Sequence, residues 1–279
     1  MTKTSAKTFL ITGVSSGFGR ALAEAALRDG HTVVGTVRKE GDKQAFERLG
    51  EAAHAVVLDV TDTARIAPAI AEIEQRIGTI DVLVNNAGYG HEGILEESSI
   101  DDLRRQFDVN VFGAVAMIQA VLPAMRKRRA GHILNITSMG GIITLPGLSY
   151  YHGSKFALEG ISEALGKEVS DFGIKVTAIE PGGFRTDWAG RSMVRAERSI
   201  ADYDALIEPI RKRRMELSGR QVGDPAKAAQ AMLKVAISDN PPAHLLLGSD
   251  AIRLVDEKMK SLQADFDAWK SVSLSTDFG

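Results

Sequence analysis

Residues 8–19 read Thr-Phe-Leu-Ile-Thr-Gly-Val-Ser-Ser-Gly-Phe-Gly, and this stretch decides the fold. The apolar, β-branched run at 8–14 has the make-up of a buried strand, and residues 18–29, FGRALAEAALRD, change to a helical period with Leu22 and Ala26 on one side. Strand, tight turn and helix form the repeating unit of a parallel sheet. In such a turn glycine admits backbone angles closed to other residues and lets a pyrophosphate approach without a Cβ in the way. The helix N-terminus behind it offers amide hydrogens and partial positive charge. Glycines at 13, 17 and 19 are spaced differently from the tighter G-x-G-x-x-G fingerprint, and three glycines in seven residues are also compatible with a plain strand-to-helix turn.

The same rhythm continues outward. Strands are expected at 31–37, 53–60, 81–88, 131–138, 174–183 and 244–248. Helices are expected at 43–49, 64–78, 99–129 with an interruption near Asn110, 149–173, 225–238 behind the Asp224-Pro225 start signal, and 251–270. Strands alternating with helices of this length imply right-handed crossovers and a doubly wound parallel sheet, three layers deep (α/β/α). Residues 184–222 break the rhythm, and 188–222 are expected to form a loosely attached helical substrate lid. Residues 271–279 read as a polar, frayed tail. At 279 residues, one domain over 1–279 is the natural expectation.

Composition narrows the function. The net charge of -2 does not suggest a polyanion, and the basic runs Arg126–Arg129 and Arg211–Arg214 lie in or after helices, where such residues complement the dipole. Nucleic acid is therefore not expected as a partner, nor is a membrane, because the apolar runs are short. With no cysteine there is no disulfide, thiol redox chemistry or thiolate metal site, and the cytoplasm is the expected compartment. The six histidines show no metal-ligand spacing, so no metal is expected.

The end of the second strand bears on the cofactor. A carboxylate there suits the ribose hydroxyls of NAD, whereas a guanidinium suits the 2'-phosphate of NADP. The sequence is Gly35-Thr36-Val37-Arg38-Lys39. Arg38 is thus the candidate phosphate clamp, assisted by Thr36 or Lys39, and NADP(H) is favoured with NAD(H) as the alternative; solvated loop charge is the competing reading. Asp59, ending the third strand, suits either an adenine amino group or a helix cap.

Tyr151 and Lys155 sit at i and i+4, on one helical face, where the ammonium would favour phenolate and bring the tyrosine into a range useful for proton exchange with a carbonyl oxygen. That spacing is common by chance. Ser138 follows the fifth strand, where open α/β sheets place ligands, although a turn cap is equally compatible. Asn110, within an apolar helix, needs a partner for its amide.

These residues together resemble the short-chain dehydrogenases/reductases over about residues 7–188, and more loosely to about 250. Gly13, Gly17 and Gly19, with Ser15, Ser16 and Phe18 between them, match that family's Thr-Gly-x-x-x-Gly-x-Gly turn. Asp59 matches its adenine-contacting acid, followed by Val60, and Asn85-Asn86-Ala87-Gly88 matches its Asn-Asn-Ala-Gly stretch. Asn110, Ser138, Tyr151 and Lys155 match its tetrad, while Pro181, Gly182, Phe184 and Thr186 span the segment that meets the nicotinamide. The resemblance implies a seven-stranded Rossmann sheet and hydride transfer between NADP(H) and a carbonyl or alcohol. In it Tyr151 exchanges the proton, Ser138 steadies the oxygen, Lys155 holds the nicotinamide ribose and lowers the tyrosine pKa, and Asn110 holds a water. Homodimers or homotetramers built on 99–129 and 151–170 are implied too.

Met139, Ile142, Leu145, Leu148, Phe184, Trp188 and Met193 are candidates for an apolar pocket suited to a hydrophobic ketone or aldehyde. Ordinary core packing is the alternative for each. His91 is expected in a surface loop, with a place at the border of the pocket as the alternative. An NAD(H)-linked alcohol dehydrogenase, an isomerase or epimerase on the same cradle, and a non-catalytic dinucleotide sensor are the competing functions.

Overall fold

The computed structural model describes residues 5–278. Strand β1 (Thr8–Thr12) leads through the glycine turn into α1 (Gly17–Arg28), followed by β2 (Thr32–Val37), α2 (Glu40–Glu47), β3 (Ala53–Val57), α3 (Thr63–Arg76) and β4 (Val82–Asn85). After a short strand β5 (Gly90–Glu92) come α4 (Ile100–Phe107), α5 (Gly113–Arg128), β6 (Gly131–Ile136), α6 (Ser149–Val169) and β7 (Ile174–Pro181). The remainder comprises β8 (Met193–Arg195), α7 (Asp204–Leu217), α8 (Pro225–Ala236), β9 (His244–Leu247) and α9 (Ser249–Leu274).

Seven strands form one parallel sheet in the order β3-β2-β1-β4-β6-β7-β9. The reversal of winding at β1 opens a crevice between the carboxyl ends of β1 and β4, where ligands of open α/β sheets bind. Alternation along β1 shows why the sheet is covered on both faces. Phe9 and Ile11 join the apolar layer under α1 and α8, with Leu22, Ala26, Met232 and Leu233. Leu10 points the other way, to Ile66, Ile70 and Ile73 of α3 and Met117, Val121 and Met125 of α5. Each such fully buried side chain contributes about 1.5–3 kcal/mol.

The stretch Ile100–Arg128 is long and apolar enough, by length and composition alone, to cross a membrane. Here it covers the sheet: the buried stripe of α5 includes Met117, Ile118, Val121 and Met125. Gly113 admits this close approach, since a Cβ there would press on Val60 at 2.9 Å. The expected interruption near Asn110 is a π-helical turn, Asp108–Phe112, between α4 and α5. The capping box of α4 (Ser99 with Asp102) and the Asp224 cap of α8, whose carboxylate accepts from the amides of Ala226 and Lys227, fix two helix starts.

Three sequence expectations need correction. The lid stretch is not loosely attached. β8 pairs with β5 in a second two-stranded parallel sheet, the buried Glu92 carboxylate meets Arg195, Arg211 and Arg214, and Arg198 binds Glu97. The long charged stretch looked detached because its arginines seek buried carboxylates far along the chain. His91, expected in a surface loop, is a buried β5 residue with its ring 5.2 Å from that of Tyr150. The tail expected at 271–279 begins as ordered helix, because α9 continues to Leu274. The basic runs also have structural work: Arg128 donates to the Ile80 carbonyl, Arg129 to that of Asp171.

Candidate active site

The glycine turn is held open by β4. Gly13 and Gly17 have φ of +73° and +61°, values that favour glycine. The Thr12 hydroxyl accepts from the amides of Asn86 and Ala87, at 2.9 Å each, and the Asn86 amide group donates back to the carbonyls of Thr12 (2.8 Å) and Gly13 (3.0 Å). A Cβ on Gly19 would overlap Gly13 O and Asn86 Nδ2, whereas one on Gly17 would meet only Thr186, at 3.9 Å. Open space thus lies over Gly17, facing the first turn of α1.

That turn carries no acidic residue, and its cap residue Ser16 makes no side-chain bond to the helix. Its amides and dipole are free to meet an anion, and the residues present fit a dinucleotide pyrophosphate. Ser15 and Gly88 are exposed beside this space, whereas Ala87 lies partly buried against Gly13. Arg38 is exposed just past β2 and has no ion-pair partner among the described residues. Asp59 is exposed, and its Oδ1 accepts from both the amide and the hydroxyl of Thr61, so it acts as a local turn cap. Val60 is buried against Gly113.

The second half of the site lies at the ends of β6 and β7. Ser138 caps the turn Met139–Gly141, accepting from Gly140 N at 2.9 Å, which is the turn-cap role read from the sequence. Its hydroxyl donates to the Pro181 carbonyl at 3.4 Å and, beside the Tyr151 phenol, favours that group's ionised form. Lys155 is buried, donates to the Ile136 carbonyl at 2.8 Å, and has Nζ 5.8 Å from the centre of the Tyr151 ring. The Asn110 amide is fully engaged: Oδ1 accepts from Tyr89 N, and Nδ2 donates to Tyr89 O and to Ser154 Oγ at 3.0 Å. The four tetrad positions converge from a π turn, a strand end and one helix.

Burial works against the ionisation expected of the pair. Burial pushes the Tyr151 phenol up to about 12, opposed by Ser138, and burial lowers Lys155 to about 8, opposed by the Glu159 carboxylate. Desolvation penalises the charged form of both groups and so opposes the phenolate that the Lys155 ammonium would favour.

Several neighbours escaped sequence reasoning. His152 Nδ1 lies 2.7 Å from Gly140 O and its Nε2 accepts from Leu145 N, which fixes the neutral tautomer and pins the loop after Ser138. Asp250 at the start of α9 accepts from Gly183 N at 2.7 Å, holding the Pro181-Gly182 turn. Neither was signalled by a motif, although His152 stands inside Tyr-His-Gly-Ser-Lys. Of the pocket candidates, Leu148, Met193 and Trp188 pack with Tyr151. Ile142 and Met139 are half-buried and Leu145 is exposed. Phe184 belongs to the apolar core instead, edge-on to Phe18 at 5.1 Å.

Glu159, Glu180 and His244 come together behind Lys155, with potential ligand atoms within 4.8 Å of one another. Separations of 21 and 64 residues hid this from inspection of histidine spacing. His244 Nδ1 is 2.7 Å from Glu180 Oε1, an ion-pair geometry in which the ring nitrogen is already engaged.

The profile of the short chain dehydrogenase family matches residues 7–195. The chain belongs to the short-chain dehydrogenase/reductase family. It is similar to Oxidoreductase BOA17 of Botryotinia fuckeliana, 41% identical and covering 97% of this chain and 99% of that one. It is also similar to 3-ketodihydrosphingosine reductase of Bacteroides thetaiotaomicron, 38% identical over 92% and 93% of the two chains. A short-chain dehydrogenase structure from Streptomyces avermitilis superposes with a TM-score of 0.91 at 41% identity, covering 98% and 99% of the chains. Two further family structures, at TM-scores of 0.72 and 0.71, were solved with bound cofactor. ElxO, 27% identical over 86% of this chain and 96% of its own, holds NADP. A 3-ketoacyl-(acyl-carrier-protein) reductase from Brucella melitensis, 26% identical with the same coverage, holds NADH. The protein is therefore an NAD(P)-dependent oxidoreductase of this family.

Proposed function

We propose that this family member reduces an apolar ketone or aldehyde with NADPH, and that Tyr151 is the acid-base group. The observation that carries the reading is the placement of the Tyr151 phenol, next to Ser138 and under the apolar side chains of Leu148, Met193 and Trp188. When bound, the nicotinamide cofactor supplies the hydride, or accepts it in the reverse direction. All remaining work falls to the chain.

The carbonyl oxygen accepts hydrogen bonds from Tyr151 and Ser138, which places its carbon over the crevice between β1 and β4. Because burial keeps Tyr151 protonated, it is ready to donate as charge develops on that oxygen. Lys155 lies one turn behind the phenol, poised to hold the ribose hydroxyls and to stabilise the phenolate left by proton transfer. Asn110 fixes the π turn to the Tyr89 backbone and to Ser154, whose hydroxyl also donates to the Tyr151 carbonyl. It thereby holds the α6 start in place.

Trp188 and Met193 exclude water and favour an apolar substrate. A relative named for reducing a 3-keto group of dihydrosphingosine supports that class. The unpaired Arg38, beyond a strand end that lacks a carboxylate, favours the 2'-phosphate of NADP(H) over the bare ribose of NAD(H). A homo-oligomer built on residues 99–129 and 151–170 is part of the same reading, since Phe112 in the π turn and Phe156 on α6 lie 55% and 42% exposed.

The test is fluorescence titration with NADPH and NADH in parallel, followed by a panel of apolar ketones and aldehydes. Tighter NADPH binding and ketone-dependent loss of the reduced-cofactor signal support the proposal. Tighter NADH binding overturns the role of Arg38, and binding without turnover favours a dinucleotide sensor.

A further inference from the structure

Helix α9 spans 26 residues, about 39 Å at the usual rise. Its main packing is against β9 and the turn Met139–Gly141, and this covers only the first half: Ala251 and Val255 are buried, Leu254, Lys258 and Leu262 half-buried. Beyond Leu262 the same face runs on uncovered. Phe266 and Trp269, one and two turns further along it, are 64% and 66% exposed. The apolar positions Ile252, Val255, Met259, Leu262, Phe266 and Trp269 follow steps of three and four, the a/d spacing of a helix that pairs with another helix. In that register Asp265 falls at a g position and Lys270 at the following e position, flanking the two aromatic rings. Neither has an ion-pair partner among the described residues, whereas Arg253 and Lys260 pair along the helix with Glu257 and Asp256.

We propose that the second half of α9 docks on α9 of a second copy of this chain, side by side and parallel, with Phe266 and Trp269 in the seam and Asp265 of each copy against Lys270 of the other. A self-pairing helix needs a pattern that is complementary to itself, and the five-residue step from an acid at g to a base at e provides it. A lipid surface fits less well. Helices that lie on membranes are rich in Lys and Arg on the polar face, whereas here Asp250, Asp256, Glu257, Asp265 and Asp267 outnumber Arg253, Lys258, Lys260 and Lys270. Four rings from two copies bury on the order of 500 Å² of apolar surface, a substantial part of a standard interface of about 1,600 Å². This contact is separate from the α5 and α6 faces and does not depend on the proposed reaction.

The test is the mass of the full-length protein by sedimentation or light scattering, with cofactor binding as the control for folding. Phe266→Glu combined with Trp269→Glu should halve the mass of the assembly and leave cofactor affinity unchanged, since both side chains are exposed. Asp265→Lys alone should weaken assembly, and adding Lys270→Asp to it should restore it, because each acid then meets a base again. A wild-type chain that is monomeric at the highest attainable concentration overturns the proposal, as does a mass unaffected by the aromatic substitutions. Failure of the charge swap to restore assembly overturns the stated pairing, and co-flotation with lipid vesicles that depends on Trp269 assigns the face to a membrane instead.

Discussion

The indole of Trp188 lies against the phenol ring of Tyr151, with ring centres 5.1 Å apart and planes at 58°, and its Nε1 is buried without a hydrogen-bond partner among the described residues. Gly90 makes room for this contact, because a Cβ there would press on both Trp188 and Met193. The stretch that begins at Trp188 thus rests directly on the group that would carry the proton. An unpaired buried N–H costs free energy.

Trp188→Ala should raise KM for an apolar ketone about two- to tenfold, from the loss of roughly 0.5–1.5 kcal/mol of aromatic contact, with a smaller effect on kcat. Steady-state kinetics separates the two. A fall in kcat at constant KM would mean that Trp188 serves the chemical step rather than substrate binding.

Gly19→Ala should destabilise the fold by about 1–3 kcal/mol, because the new Cβ overlaps the Gly13 carbonyl and the Asn86 amide that hold the turn. Thermal denaturation should show the loss, and cofactor affinity should fall with it. Gly41→Ala, where nothing lies within 4 Å, is the control and should leave both unchanged.

Arg38→Glu should weaken NADPH binding about 10- to 100-fold, the value of one charge-assisted contact to phosphate plus the added repulsion, and should leave NADH binding nearly unaltered. Parallel titrations measure this directly. Equal losses for the two cofactors would show that Arg38 serves the fold of the loop and not the phosphate.

The fold was legible because its signals are local. Thr8–Gly19 alone declares strand, turn and helix, and the tetrad residues stand at their expected strand and helix ends. What stayed hidden depends on distant pairing. β5 and β8 have three residues each and exist only because Gly90–Glu92 meets Met193–Arg195 a hundred positions later. The arginines of the lid read as solvated charge until Glu92 and Glu97 are seen as their partners. Lys155 one turn away signals a lowered phenol in the sequence, whereas the burial that raises it depends on packing with distant Trp188 and Met193.

The cluster of Glu159, Glu180 and His244 should make stability depend on pH in a specific direction. Burial raises Glu159, to about 7, and raises Glu180; the glutamates around His244 raise that group as well. Groups raised on folding contribute stability that is complete below their unfolded values and is lost as pH climbs through the folded ones. Glu159→Gln should therefore gain stability relative to the unsubstituted protein between about pH 5 and pH 8. Melting temperatures of the two proteins across that range give the comparison, and a difference independent of pH would show that Glu159 is ionised throughout.

The most direct test of the central claim is a single-turnover measurement on Tyr151→Phe, with NADPH saturating and an apolar ketone that the unsubstituted enzyme reduces. Tyr151 as the proton donor predicts unchanged NADPH binding and a hydride-transfer rate lower by about 10²- to 10⁴-fold. Transfer within a few-fold of the unsubstituted rate would contradict it and would leave the buried phenol a packing residue beneath Trp188.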